Sequence, residues 1–376
     1  MPKSDHKVLI FSFPLSGLVT TLLGPLLPVL TARWTLTDAG AGQLFLVQFL
    51  SSTLGALGSA WIMARVGISR SIALSYLAMA VAILPLGWVP HAAGLLCVIG
   101  YGLALGVSIP AVNLCVGLRS AGSAENKVSR LNLLNMAWCL GAVFAPPVLV
   151  SMLRAGGLGI ALAAVSGLCL LAGVACFLLV PPAAAPSSSA DRPGISRAIG
   201  FGAIAAGFFL FLYVGVENGL SGWLPLFAER VWRVRDSTAA IALSVFWASI
   251  LAARLATASA ARRLNPRRWI LAGLAAAMVG IGTLMFGGAT GIVIIGVAVA
   301  GLGLGPVFPT AVALFQDRAG ATSARLIGFV FASAGCGGGA LPWLIGAISS
   351  GSGSLRAGLA ATLAAAAGMI LTLRWL

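Results

Sequence analysis

Gly102-Leu103-Ala104-Leu105-Gly106-Val107-Ser108-Ile109-Pro110 recurs 199 residues later as Gly301-Leu302-Gly303-Leu304-Gly305-Pro306-Val307-Phe308-Pro309. Both copies lie in uncharged apolar runs of more than about 18 residues, long enough for a helix to cross a bilayer. A second echo keeps nearly the same offset: Arg65-Val66-Gly67-Ile68-Ser69-Arg70 is matched 198 residues on by Arg263-Leu264-Asn265-Pro266-Arg267-Arg268. A period of about half the chain implies two copies of one folding unit.

Working outward from the repeat, apolar runs bounded by charge or by Gly, Pro and Ser predict spans near 8–30, 39–63, 70–88, 92–116, 129–153 and 156–180. Six more follow near 198–226, 237–261, 269–287, 290–316, 324–348 and 355–373. Between the two sets, Pro181 to Gly194 is rich in Pro, Ala and Ser and reads as a flexible linker. The expected fold is an all-α membrane protein with 12 transmembrane helices in two six-helix halves, 1–180 and 198–376, joined by a cytoplasmic linker at 181–197. An even number of spans separates the repeat copies, so the halves share one membrane orientation, as parallel repeats about an axis along the membrane normal. Such a chain is suited to rocking one half against the other around a central site, and is expected to act as a monomer.

Composition agrees. Of 376 residues, 60% are apolar and 8% charged, against about 25% charged in soluble domains, and the mean hydropathy is +1.04. A water-soluble enzyme is excluded. The 48 glycines suit close packing of helix backbones in lipid. A net charge of +15 would suggest nucleic acid in a soluble chain, but in this one its placement gives topology. Arg33, Arg154, Arg230, Arg233, Arg235 and Arg356 fall on one side, Arg254 lies inside a span, and the remaining Lys and Arg fall on the side of the termini. That bias puts both termini and the linker in the cytoplasm, in a cell inner membrane. Trp34, Trp88, Trp232, Trp269 and Trp375 lie near span ends, as interface anchors do. Lys3 and Lys7 precede an apolar run from Val8 to Leu30 that is too long for a signal peptide and lacks a small-residue cleavage site.

The two-half plan, the basic loops after spans two and eight and the long linker resemble the major facilitator superfamily over the whole chain. The loop is a degraded Gly-x-x-x-Asp-Arg-x-Gly-Arg signature: Arg65, Gly67 and Arg70 match, and Ala64 stands where the Asp is expected. The resemblance implies a gating role for Arg65 and Arg70. Asn113, Arg130-Leu131-Asn132-Leu133, Gly141-Ala142, Tyr213-Val214-Gly215, Phe308-Pro309-Thr310 and Gly337-Gly338-Gly339 with Pro342 are similar to the fucose/glucose:proton symporter branch. That branch carries its coupling acids on spans one and four. Span one of this chain has no acid, and the span-four position falls at Ile109 beside Ser108.

Ionisable groups in hydrocarbon are costly, so those present are the first functional candidates. Of eight acids, Glu217 alone lies well inside a span, in Tyr213-Val214-Gly215-Val216-Glu217-Asn218-Gly219, where the glycines and Pro225 loosen the helix. It is the candidate for substrate contact and for loading and releasing a proton. Asp317 sits at the cytoplasmic end of span ten. Arg254, roughly 12 Å from the cytoplasmic end of its span, is expected to pair with Asp317 or with helix-end carbonyls as a gate, and not with Glu217. Gln48, Asn113, Asn135 and Asn218 offer neutral hydrogen-bonding groups; Asn132, Asn135 and Trp138 share one face of span five. Amides for hydroxyls and an indole for a CH-rich ring face would suit a sugar. Trp247 and Trp343 read as core. The six cysteines, all in apolar stretches without a CxxC, read as buried small hydrophobes.

The reading is therefore a secondary transporter moving a small polar solute, a sugar foremost, by alternating access, with protons coupled through Glu217. The alternative is a facilitator-type exporter of amphipathic or cationic compounds. His6 and His91 lie in the tail and an outer loop, and no HExxH, GxSxG or paired intramembrane Asp appears. No enzyme, metal or cofactor is expected, and the partners are the solute, protons and membrane lipid, with no nucleic acid.

Overall fold

A computed structural model describes residues 4–119, 124–182, 197–260, 265–319 and 323–376. Outside the described residues lie Lys3, the linker residues 183–196, and Arg262 to Leu264. The side chains of Asp5, His6, Lys7, Arg119, Glu125, Lys127, Arg130, Asn132, Arg197 and Arg325 also lie outside them.

The described residues are helical, without a strand: α1 Ser4–Thr20, α2 Leu23–Arg33, α3 Asp38–Val66, α4 Ile68–Ile83, α5 His91–Arg119, α6 Ala124–Leu179 and α7 Arg197–Phe227 come first. Then follow α8 Asp236–Ala260, α9 Pro266–Phe286, α10 Thr290–Leu304, α11 Val307–Ala319, α12 Ser323–Ser352 and α13 Leu355–Thr372. Among the described residues, eleven segments are long and apolar enough to cross a membrane, and one of them, Leu133–Leu179, has 47 residues. A straight helix of that length would be about 70 Å long, over twice the hydrocarbon thickness. Gly157 interrupts it with φ 75 and ψ −174, outside the helical region. The part after Gly157 runs antiparallel to α4: Gly159 lies against Trp88, Ser166 donates to the Ala80 carbonyl, and Ser69 donates to that of Pro181. Gly157 thus lies at the start of the span expected at 156–180, just past its boundary with the span expected at 129–153.

Proline explains two further interruptions. The first span is divided into α1 and α2 because Pro25 has no N–H to donate to the Thr21 carbonyl; tighter bonds, Leu22 to Val19 at 3.4 Å and Gly24 to Thr21 at 3.2 Å, fill the step. Pro306 likewise separates α10 from α11; the first repeat copy has Val107 at the matching place and α5 runs on, while Pro110 lies inside α5 and its match Pro309 in the first turn of α11.

The chain forms two compact units, Met1–Val29 with Val47–Ser189, and Leu30–Leu46 with Ala190–Leu376. The repeat is visible within each. In the first unit, a methyl group on Gly102 or Gly106 would run into the backbone carbonyl of Gln48 or Ser52, so α5 lies directly on α3. In the second, Gly301 and Gly305 stand the same way against the carbonyls of Phe246 and Ile250 on α8. Gly141 abuts the Pro14 carbonyl and Gly337 that of Phe211, a second matched pair. Small residues that let backbones touch are the main means of helix association in lipid. Gly337→Ala should therefore lower the thermal unfolding midpoint in detergent, at a cost of about 1–3 kcal/mol for overpacking. Gly58→Ala, where nothing lies within 4 Å, should leave the midpoint unchanged or raise it.

Candidate functional site

Glu217 and Tyr213 are one helical turn apart on α7, both buried, with 7% and 0% of their surface exposed. Arg254 reaches them from α8. Its Nη2 donates to Glu217 Oε1 at 2.9 Å, forming a salt bridge, and Tyr213 Oη stands 3.1 Å from the same oxygen. Tyr213 Oη also lies 3.0 Å from the Leu304 carbonyl. Leu304 is the last residue of α10, just before the break at Pro306, so the phenol covers a carbonyl at a helix end. A phenol has one proton and donates to one of these acceptors at a time. With Glu217 ionised the carboxylate takes that bond; with Glu217 protonated, its own O–H can donate to Tyr213, which turns to Leu304. Phe308 flanks Tyr213 at 5.6 Å between ring centroids, and Phe331 extends this apolar wall at 5.9 Å from Phe308.

The Glu217–Arg254 pair corrects the expectation that the two residues lie too far apart. α7 and α8 are joined by a short turn and run antiparallel. Counted from that turn, Glu217 is ten residues and Arg254 eighteen residues along, an axial offset of roughly 12 Å. Side chains on a helix lean toward its own N-terminus. On antiparallel neighbours that lean carries Glu217 and Arg254 toward each other and closes the gap. Asp317, the partner expected for Arg254, is exposed in the last turn of α11.

The other predicted residues are placed as follows. Gln48 is 1% exposed; its Nε2 donates to the Thr20 carbonyl at 2.8 Å and its Oε1 accepts from Tyr101 at 3.1 Å. Thr20 ends α1, so Gln48 covers a broken helix end in the first unit as Tyr213 does in the second. Asn113 and Asn218 are part-buried, and each Nδ2 donates to a carbonyl of its own helix, Ile109 at 2.8 Å and Val214 at 2.9 Å. Asn135 is exposed and Trp138 half-buried. Arg70 is exposed, and the Arg65 guanidinium lies 4.1 Å from the Trp61 ring centroid. Between them Gly67 has φ 86, a conformation in which a side chain would be strained. Among the described residues no group of three or more His, Cys, Asp or Glu is placed to hold a metal ion.

One polar cluster escaped the sequence reading. Asp38 opens α3 within the second unit, where its Oδ1 accepts from Arg230 and its Oδ2 from Ser349 at 2.6 Å. The next backbone N–H, of Ala39, donates to Ser350 Oγ at 2.8 Å. The repeat offset held a clue, since it carries Asp38 onto Asp236, and each opens a helix. Arg230 is 43% exposed, so Asp38→Ala should cost only about 1–2 kcal/mol. Its larger effect is expected in hydrogen exchange, which should quicken at 30–46 and not at 68–83.

A family model described as Major Facilitator Superfamily matches residues 9–342. Among solved structures, a bacterial homolog of the human lysosomal transporter Spinster, inward-facing and unoccupied, has a TM-score of 0.78 at 16% identity, covering 100% of this chain and 98% of that one. FucP in the outward conformation has a TM-score of 0.66 at 19% identity, covering 98% and 97%. The Escherichia coli fucose:proton symporter FucP gives 0.66 at 18% over the same shares. At these identities the likeness is one of fold. No curated protein matches the chain.

Proposed function

Because this chain belongs to the major facilitator superfamily, whose members are transporters and not enzymes, we propose that it is a secondary active transporter moving a small polar solute by alternating access, with protons coupled through Glu217. The observation that carries the coupling is the buried cluster of Glu217, Arg254 and Tyr213 beside the break between α10 and α11. A carboxyl group paired to a guanidinium and to a phenol with two alternative acceptors can take up a proton and pass the change to a helix end. A membrane protein keeps such groups out of lipid contact and uses them in proton relays.

A sugar is the solute favoured by the branch resemblance and by the FucP likeness. The remaining acceptors of Asn113 and Asn218 and the indole of Trp138 support it. The placement of Lys and Arg supports an inner-membrane location with both termini and the linker cytoplasmic, and we assign the loop of Arg65 and Arg70 to gating. Export of an amphipathic cation is the second reading, favoured by the aromatic wall of Phe308 and Phe331 next to an acid.

A thermal-shift series on the purified protein separates these readings, because a ligand stabilises the state it binds. Hexoses should raise the unfolding midpoint under the first reading and lipophilic cations under the second. Reconstituted vesicles with an inside-alkaline gradient should then accumulate the stabilising solute. Binding without any flux would contradict transport.

A further inference from the structure

We infer that the transported solute is a small carboxylate anion, which takes the place of Glu217 on Arg254 when Glu217 is protonated. This rests on the transporter reading and puts a carboxylate, sugar acids included, in place of the neutral sugar favoured above.

Two donors, the Arg254 guanidinium at 2.9 Å and the Tyr213 hydroxyl at 3.1 Å, converge on one carboxylate oxygen, that of Glu217. A guanidinium aimed at a carboxylate oxygen is an oxyanion receptor, and the protein's own side chain fills it; once protonated Glu217 turns its O–H to Tyr213, the guanidinium is what a solute carboxylate meets. Arg254 keeps 28% of its side-chain surface exposed and Glu217 10%, so the cation is the more approachable partner.

Charge decides the class. With Glu217 ionised, it and Arg254 sum to zero. Adding a proton to Glu217 raises the net charge of this buried cluster by one, whatever other hydrogen bonds Arg254 keeps. A net charge inside a membrane protein costs several kcal/mol. A neutral sugar leaves that cost standing. A monoanion entering with the proton cancels it, so the loaded site is neutral again: protonated Glu217, cationic Arg254, anionic solute. Of the titratable and charged groups on helices packed against α7, Arg254 is bonded to Glu217. Asp236 and Arg356 lie in the first turns of α8 and α13, Asp317 and Arg318 in the last turn of α11, Glu229 and Arg230 in the turn between α7 and α8, Arg374 just beyond α13, and Cys336 in α12. The Phe308 and Phe331 rings favour a solute with a compact apolar or ring-shaped body behind its carboxylate.

The test is calorimetric titration of the full chain in detergent with glucose, glucuronate and glucose 6-phosphate. The first two differ by a carboxylate, and the third presents a phosphate. In buffers of different ionisation enthalpy, glucuronate should bind with uptake of about one proton. Its affinity should weaken up to tenfold per pH unit on the alkaline side of the Glu217 titration. Glucose should bind at least tenfold more weakly. Glu217→Gln should bind glucuronate with no pH dependence, and the proton count on the native chain settles the matter if that variant does not fold. Tighter glucose than glucuronate, or glucuronate binding without proton uptake, would overturn the carboxylate class while leaving the transporter reading intact. Preference for the phosphate would also overturn it. Failure of all three to move in vesicles under a proton gradient would instead count against the transporter reading.

Discussion

Vesicles bearing Glu217→Gln are expected to lose gradient-driven accumulation entirely, while the protein keeps its fold and still exchanges solute across a membrane without a gradient. With one proton carried per solute, a gradient of one pH unit supports up to tenfold accumulation, since each 1.4 kcal/mol is a factor of ten. The variant should show an inside-to-outside ratio of one at every gradient. Glutamine keeps the size of the side chain and an oxygen for Arg254 and Tyr213, so packing against the α10 break survives; the titratable proton and the negative charge are lost, which holds the site as protonated Glu217 does. Measured accumulation as large as that of the native protein would remove Glu217 from the coupling step.

The second large effect belongs to Arg254→Met. Truncating one member of a buried pair strands the other charge, at a cost of about 2–4 kcal/mol for a pair that retains some exposure. The sign with pH follows from which form is stranded. An unpaired carboxylate is costly only while ionised, so the variant should be least stable at high pH and regain stability as the pH falls and Glu217 takes up a proton. The double variant Glu217→Gln with Arg254→Met strands no charge and should unfold at a higher temperature than Arg254→Met alone. Thermal unfolding of the four proteins across pH completes the cycle. If the double variant is no more stable than Arg254→Met, the two residues are not energetically paired.

Much of the fold was legible because the sequence repeats its backbone contacts as well as its hydropathy. Gly102 and Gly106 echo Gly301 and Gly305 because each pair admits the carbonyls of a neighbouring helix, and a residue type with that task leaves a mark in sequence. Pro306 marked a break in the second copy, and the first copy has Val107 in its place and runs on unbroken, so one residue of the repeat tells the copies apart.

The site was half legible. Glu217 stood out as an acid inside an apolar run. Its pairing with Arg254 did not, because depth counted in residues from a helix end omits the lean of the side chains. Gln48 read as a cavity amide because its type was visible and the broken end of α1 that it covers was not. Asp38 did not stand out because its partners Arg230 and Ser349 are 192 and 311 residues away, beyond any local pattern.

The most direct test of the coupled-transport account is the proton movement that a solute gradient drives. Vesicles containing a pH-sensitive dye, with no imposed pH difference, receive the stabilising solute outside; the lumen should acidify with the native protein and not with Glu217→Gln. Solute entry at an unchanged internal pH, with the native protein and in the absence of ionophores, would contradict it.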